Sequence, residues 1–246
     1  MKLCLLLLAH FVADFMLQST EMAHMKIKNR NVFLKHCLIY SAVMFMAVML
    51  YGTIVQAVLI AAFISLSHLI VDHLRIRSEK RHIYTHKREF RRFILDQATH
   101  LVIIIIVVFY IPDKNYIGQG MSDIYYTYFT PKLFAVAVIL TAYAACLQPA
   151  GVFIKKMFLR LEFQQQDIVE ENMAGFLIGI LERVCILTLA ILSQYTAISF
   201  VIAAKSLARI KLLEDKNFAE KYLVGTLVSV VIALISGVMV QKLIRI

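Results

Sequence analysis

Eight apolar runs, at about 2–18, 33–51, 53–74, 92–111, 132–148, 174–194, 196–210 and 222–241, govern what this chain can become. Most approach the roughly 20 residues that an α-helix needs to cross a bilayer. Inside hydrocarbon the backbone N–H and C=O groups find no water, so each run must close its hydrogen bonds internally, as helix. The chain is 61% hydrophobic with a mean hydropathy of +0.76, and only 3 Pro and 8 Gly interrupt it. Those values exclude an ordinary soluble domain and predict an all-α, polytopic helical membrane protein with about eight transmembrane helices. The first and seventh runs are short for a span, and the seventh is open to a re-entrant path. Met1 and Lys2 followed by LCLLLLA suggest a signal peptide. No small-residue cleavage site precedes the next charges, however, so the run reads as a retained first span.

Charge follows the same segmentation. The formal net charge of +10 sits in short stretches between apolar runs: Lys26, Lys28 and Arg30, then eight Lys and Arg residues within 75–92, then Lys155, Lys156 and Arg160, then Lys205 to Lys221. They alternate with connections nearly free of positive charge. This is the cytoplasmic-loop bias of an inner-membrane protein rather than a nucleic-acid footprint, and it places both termini outside. Lys242 and Arg245 at the C-terminus run mildly against that orientation. The four cysteines are dispersed in apolar runs without a CxxC spacing, so neither a disulfide framework nor a thiolate metal site is indicated.

Within the apolar runs lie three His–Asp pairs at four-residue spacing: His10/Asp14, His68/Asp72 and, reversed, Asp96/His100. Random placement of 8 His and 7 Asp in 246 residues gives about 0.5 such pairs. Residues four apart share a helix face, and ionisable groups at membrane depth cost about 2.5–3.5 kcal/mol each unless partnered. On the predicted topology the first and third spans run inward and the fourth outward. The reversed order on the fourth then puts every Asp in a shallow layer and every His about one turn deeper. His36, on the second span, is a candidate for that deep layer. Imidazole and carboxylate together suit a divalent transition metal, zinc foremost, as one ion or two. The candidate ligands are thus His10, Asp14, His36, His68, Asp72, Asp96 and His100, with one of Asp14, Asp72 and Asp96 available as a general base. The structural alternative is that each His only hydrogen-bonds an Asp and fixes the bundle.

Other polar residues carry weaker signals. Gln18 and Gln97 are placed to orient a carboxylate. His73 points about 100° away from Asp72, as successive helix positions do. His24 is in a polar segment, and His82 and His86 share a face in the basic loop. In the second half, Arg183, Lys205 and Arg209 are candidates to bind an anionic headgroup, with pairing to Glu182 and snorkelling as the structural alternatives. Gly225, Ser229, Ala233 and Gly237, at four-residue steps, form a helix-packing seam.

LLLAHFVADFMLQS, LKHCLIY, SHLIVDHL and FILDQATHL resemble the bacterial domain-of-unknown-function 3307 family of multi-pass membrane proteins. GFLIGILER, SFVIAAKSLAR and EKYLVGTLVS resemble the C-terminal half of its longer members. The resemblance implies membrane location and a shared core at His10, Asp14, Gln18, His36, His68, Asp72, Asp96, Gln97 and His100, and implies no settled activity. Three regions are expected: a four-helix His/Asp half at 1–111, an extracytoplasmic loop at 112–131, and a C-terminal membrane half at 132–246 containing an amphipathic segment at 151–173. The functional expectation is a metal-dependent hydrolase acting on a lipid-linked or phosphorylated substrate at the cytoplasmic face. Membrane lipid and an anionic substrate are the expected partners, nucleic acid is not, and a homo-oligomer is open. The rival expectations are a proton- or divalent-metal-coupled transporter using the same cluster, and a noncatalytic scaffold whose partner docks on 75–92.

Overall fold

In a computed structural model of the chain, residues 1–50, 54–81, 85–111, 130–161 and 168–244 are described, and their elements are all helical. In order they are α1 (Lys2–Phe11), a π-helical turn (Val12–Met16), α2 (Thr20–Lys28), α3 (Arg30–Met49), α4 (Ile54–Arg81), α5 (His86–Val108), α6 (Thr130–Cys146), α7 (Gln148–Arg160), α8 (Ile168–Ile191), α9 (Tyr195–Ala208), a 3-10 turn (Leu212–Glu214) and α10 (Lys216–Ile244). Over the described residues the apolar runs are largely helical. Among the described residues, four stretches are long and apolar enough to cross a membrane: Arg30–Met49, Ile54–Lys80, Pro131–Arg160 and Lys216–Ile244. Lys2–Met16 with Thr20–Lys28 makes a fifth if that pair, bent by 78°, is one span. A turn at Gly52 between the second and third runs, His82 and residues 112–129 of the expected loop lie outside the described residues.

The chain divides into two compact units, Met1–Thr141 and Ala142–Ile246, so the boundary falls within α6. In the first unit α1 packs on α3, α3 on α4, α4 on α5, and α5 back on α1, closing a ring of four helices. Each helix climbs through the interior of that ring in four-residue steps. The steps are Leu6, His10, Asp14 on α1 and its π turn; Ile64, His68, Asp72 on α4; and Ile104, His100, Asp96 on α5. On α3 they are Met44, Tyr40, His36, and all twelve residues are buried. The apolar rungs belong to a core that includes Ala9, Val48, Ala57 and Val107. Above them come rings and then charge.

The stretch 19–32 is helical where the sequence suggests a connecting loop. Ser19 caps α2 by accepting from Met22 N at 3.1 Å, and Asn29 caps α3 by accepting from Asn31 N at 2.9 Å. Two N-caps so close together confine a nine-residue helix between them.

In the second unit α8 packs chiefly on α10. Their core is Cys146, Ile186, Leu187, Ala190, Ile198, Val230 and Ala233. At the end of α8 the backbone turns through Ser193, whose φ of 59° is in the left-handed region. Gln241 on α10 satisfies the freed carbonyls there, donating to Ala190 O at 2.8 Å and Ile191 O at 3.2 Å. Gly237 lets the helices approach: a Cβ on it would lie 2.5 Å from the Ala190 Cβ. One on Gly225 would meet only the Phe158 ring edge, at 2.8 Å, and one on Gly175 would meet nothing within 4 Å. Gly237→Val is therefore expected to destabilise the detergent-solubilised protein by about 1–3 kcal/mol through overpacking. Gly225→Ala should cost less, because the ring can move, and Gly175→Ala should be neutral or mildly stabilising. Thermal unfolding of the three variants checks the order.

Candidate functional site

Four helices each give one imidazole to the interior of the first unit. His10, His36, His68 and His100 are all at most 2% exposed, and Asp14, Asp72 and Asp96 at most 7%. Three sets of donor atoms lie within 4.8 Å of one another: His10/Asp14/His100, Asp14/His36/His68 and His68/Asp72/His100. The sets share corners, Asp14 between the first two, His68 between the last two, and His100 between the first and third. No described cysteine joins them, and the four thiols are free. Bundle interiors lined by inward-facing carboxylates and imidazoles are a common setting for metal ions.

The ring layer is tightly built. Tyr40 stacks on His68 with centroids 3.7 Å apart and planes 7° from parallel. His68 and His100 follow at 4.4 Å and His10 and His100 at 5.5 Å. His36 is placed differently from the deep layer expected for it. Its Nε2 lies 3.4 Å from Asp14 Oδ1, 3.5 Å from Asp72 Oδ2 and 3.1 Å from His68 Nε2, so it stands among the carboxylates. The physical reason is the four-residue step on α3, where Tyr40 already fills the ring layer.

The charge layer holds cations that the sequence leaves among the loop residues. Lys26 Nζ donates to Asp72 Oδ2 at 2.7 Å, and Arg75 Nη1 to Asp96 Oδ2 at 2.9 Å. Lys26 is 7% exposed although it belongs to a short polar helix. A signal for Arg75 was available: it stands three residues after Asp72 on a helix that must also neutralise a carboxylate across the bundle. Lys26 had no comparable signal, because its approach depends on the bend after the π turn.

Gln97 does orient carboxylates, as its position suggests, whereas Gln18 bonds the Asp14 backbone carbonyl and the Lys26 ammonium. Gln97 Nε2 donates to Asp14 Oδ2 at 3.1 Å and to Asp96 Oδ2 at 3.2 Å, which turns its Oε1 toward His10 Nε2 at 3.2 Å. An amide oxygen only accepts, so His10 carries its proton on Nε2, and Nδ1 accepts from the Tyr40 hydroxyl at 3.3 Å. In the amide orientation that satisfies both ends, Gln18 donates to Asp14 O at 2.8 Å and accepts from Lys26 Nζ at 2.9 Å. His100 has no hydrogen-bond partner on either ring nitrogen, and the Nδ1 atoms of His36 and His68 have none. Buried polar atoms of this kind cost about 1–3 kcal/mol each when unsatisfied.

Of the three spaced pairs, His68 and Asp72 meet at 3.8 Å and His10 and Asp14 share a set, whereas Asp96 turns to Arg75 and Gln97 and joins none of the three. His73 and His24 are exposed, away from the core. The second-half cations each have a partner within the protein. Arg183 donates to Cys146 O at 2.6 Å and Leu147 O at 3.1 Å, capping the end of α6. Lys205 pairs with Glu182 at 2.6 Å, and Arg209 lies over the Phe218 ring at 6.0 Å.

The fold and site define a class: a helical protein with membrane-compatible exterior helices and an ionisable core in its first unit. Residues 3–121 match the family described as Protein of unknown function (DUF3307), so the resemblance holds over the part of the chain that contains the whole core. No curated protein and no solved structure matches the chain.

Arg75→Met would leave Asp96 buried without its counter-ion, at an expected cost of about 3–5 kcal/mol. Adding Asp96→Asn should recover most of that loss. A double-mutant cycle on denaturant or thermal unfolding in detergent measures it, and additive losses would contradict the pairing.

Proposed function

We propose that this chain is a multi-pass protein of the bacterial cytoplasmic membrane whose first unit holds a divalent transition metal, zinc foremost, for hydrolysis of a lipid-linked or phosphorylated substrate at the cytoplasmic face. Asp14 carries the proposal. Asp72 has Lys26 and Asp96 has Arg75, whereas Asp14 contacts amides and imidazole and no Lys or Arg among the described residues. It also belongs to two of the three donor sets. The set Asp14/His36/His68 takes an ion while leaving both ion pairs and the Tyr40–His10–Gln97 chain intact. His100, unpartnered and beside His68, supplies a further donor.

Charge supports an anionic substrate. With neutral imidazoles the core holds three carboxylates against the two cations Lys26 and Arg75, a net charge of −1. A dication raises this to +1, and a phosphate or similar anionic group restores neutrality in a site too buried to leave charge uncompensated. An ion there would lower the pKa of bound water and polarise a substrate oxygen. Gln97 and Tyr40 act as positioning groups, holding Asp14 and His10 in fixed orientations.

A second reading has its own observation. His36 Nε2 stands within 3.5 Å of both Asp14 and Asp72, so a single proton on His36 would neutralise the core without a metal. That arrangement suits a proton relay in a transporter.

Metal analysis after purification in mild detergent separates the two. The hydrolase reading expects about one equivalent per chain, with ligands deprotonated as metal binding requires. Asp14→Asn should abolish it, and Gln97→Leu should weaken it about 10- to 100-fold. No metal in the wild type, together with proton flux in proteoliposomes that is lost in Asp14→Asn, would establish the relay instead.

A further inference from the structure

Lys26 stands where a metal would. The third donor set, His68/Asp72/His100, is as close and as buried as the other two, yet Asp72 Oδ2 accepts from the Lys26 ammonium at 2.7 Å. Both nitrogens of His100 lack hydrogen-bond partners, and His68 Nε2, 3.8 Å from Asp72 Oδ2, has only His36 Nε2 beside it, at 3.1 Å. The ammonium itself is lightly held for a buried charge, by Asp72 and by the Gln18 amide oxygen at 2.9 Å. Lys26 is also the single buried residue of α2. His24, Met25 and Lys28 on the same helix are exposed, and a break bent by 78° joins it to the π-helical end of the first span. A cation carried on a short arm, reaching one carboxylate of a ready donor set, is built to be exchanged.

We infer that Lys26 is a tethered competitor for a second divalent-metal site, His68/Asp72/His100, which opens when the ammonium leaves Asp72. The inference rests on the reading that the core binds divalent metal, though not on Asp14 being the corner used. While Lys26 is in place, the core holds one ion at most. Entry of an ion at Asp72 expels the ammonium, and with it the α2 arm. Two like charges cannot share one buried carboxylate oxygen, because their repulsion in a low-dielectric interior exceeds what a single acidic group offsets.

The test uses Zn²⁺ alone as probe and the full chain in detergent, comparing wild type, Lys26→Met, Lys26→Gln and the double variant Lys26→Met/Asp72→Asn by chelator competition and metal analysis. At limiting free Zn²⁺ set by the chelator, Lys26→Met is expected to bind one equivalent more than wild type, and Asp72→Asn to remove that gain. In wild-type protein, saturating Zn²⁺ should raise acylation of Lys26 by an amine-reactive reagent several-fold, read by peptide mass spectrometry. This measurement decides the matter should the substituted proteins fail to fold. Equal stoichiometry in folded wild type and Lys26→Met at that limiting Zn²⁺, or Lys26 acylation unmoved by saturating Zn²⁺, overturns the inference. The two proposals fail separately. A wild type without metal whose Lys26→Met variant binds one ion sinks the Asp14 site and upholds the lysine. A wild type and variant that each bind a single ion do the reverse.

Discussion

Compensation of three buried carboxylates is the constraint on which the first unit is built. An unpaired carboxylate in an apolar interior is far more costly than any packing gain from the residue that bears it. Each Asp therefore dictates what surrounds it. Asp96 draws Arg75 inward from a loop-proximal turn of α4, and Asp72 draws Lys26. The Lys26 contact in turn demands that the chain bend sharply, by 78°, between Met16 and α2. Asp14 is satisfied by Gln97 and His36. Local features that look unrelated, including a π turn, an N-capped nine-residue helix and a glutamine in an apolar run, serve one electrostatic requirement.

The four-residue ladder supplies the geometry. Steps of four keep successive residues on one helix face, and alternation of helix direction around the ring lets hydrophobic, ring and charged rungs align at matching depths. The alignment explains why the apolar core and the polar core are separate rather than mixed. Ile64, Ile104, Leu6 and Met44 form a dry floor, and the rings above them are wedged by the Tyr40–His68 stack. A floor of this kind confines ionisable chemistry to one end of the bundle.

Much of this was legible in the residues, and the boundary between what was and what was not is physical. The helices follow from apolar run length, and the pairing of His with Asp at four-residue spacing forecasts that α1, α4 and α5 present both to the interior. The layer order survives as well, because it depends only on spacing and direction. His36 departs from it, since nothing in the spacing of α3 declares that Tyr40 would occupy the ring layer. Lys26 was hidden for another reason, which also masked Arg75 despite its spacing from Asp72. Basic residues flanking apolar runs normally mark the lipid–water boundary, so their inward turn competes with a strong general tendency and emerges only when three dimensions supply a buried acid. The roles of Arg183 and Lys205 likewise depend on carbonyls and a glutamate that become neighbours only after folding.

The displaced step on α3 gives the chamber a direction. Three of its walls present imidazole at the ring level, while the fourth presents a phenol that is already committed to stacking on His68 and bonding His10. At that level imidazoles converge from the other three walls, and a guest that also engages α3 must meet it one rung along, at His36 beside Asp14 and Asp72. An enclosure that looks four-fold from its helix count is lopsided in its chemistry, because one wall delivers its imidazole a full helical turn away from the other three.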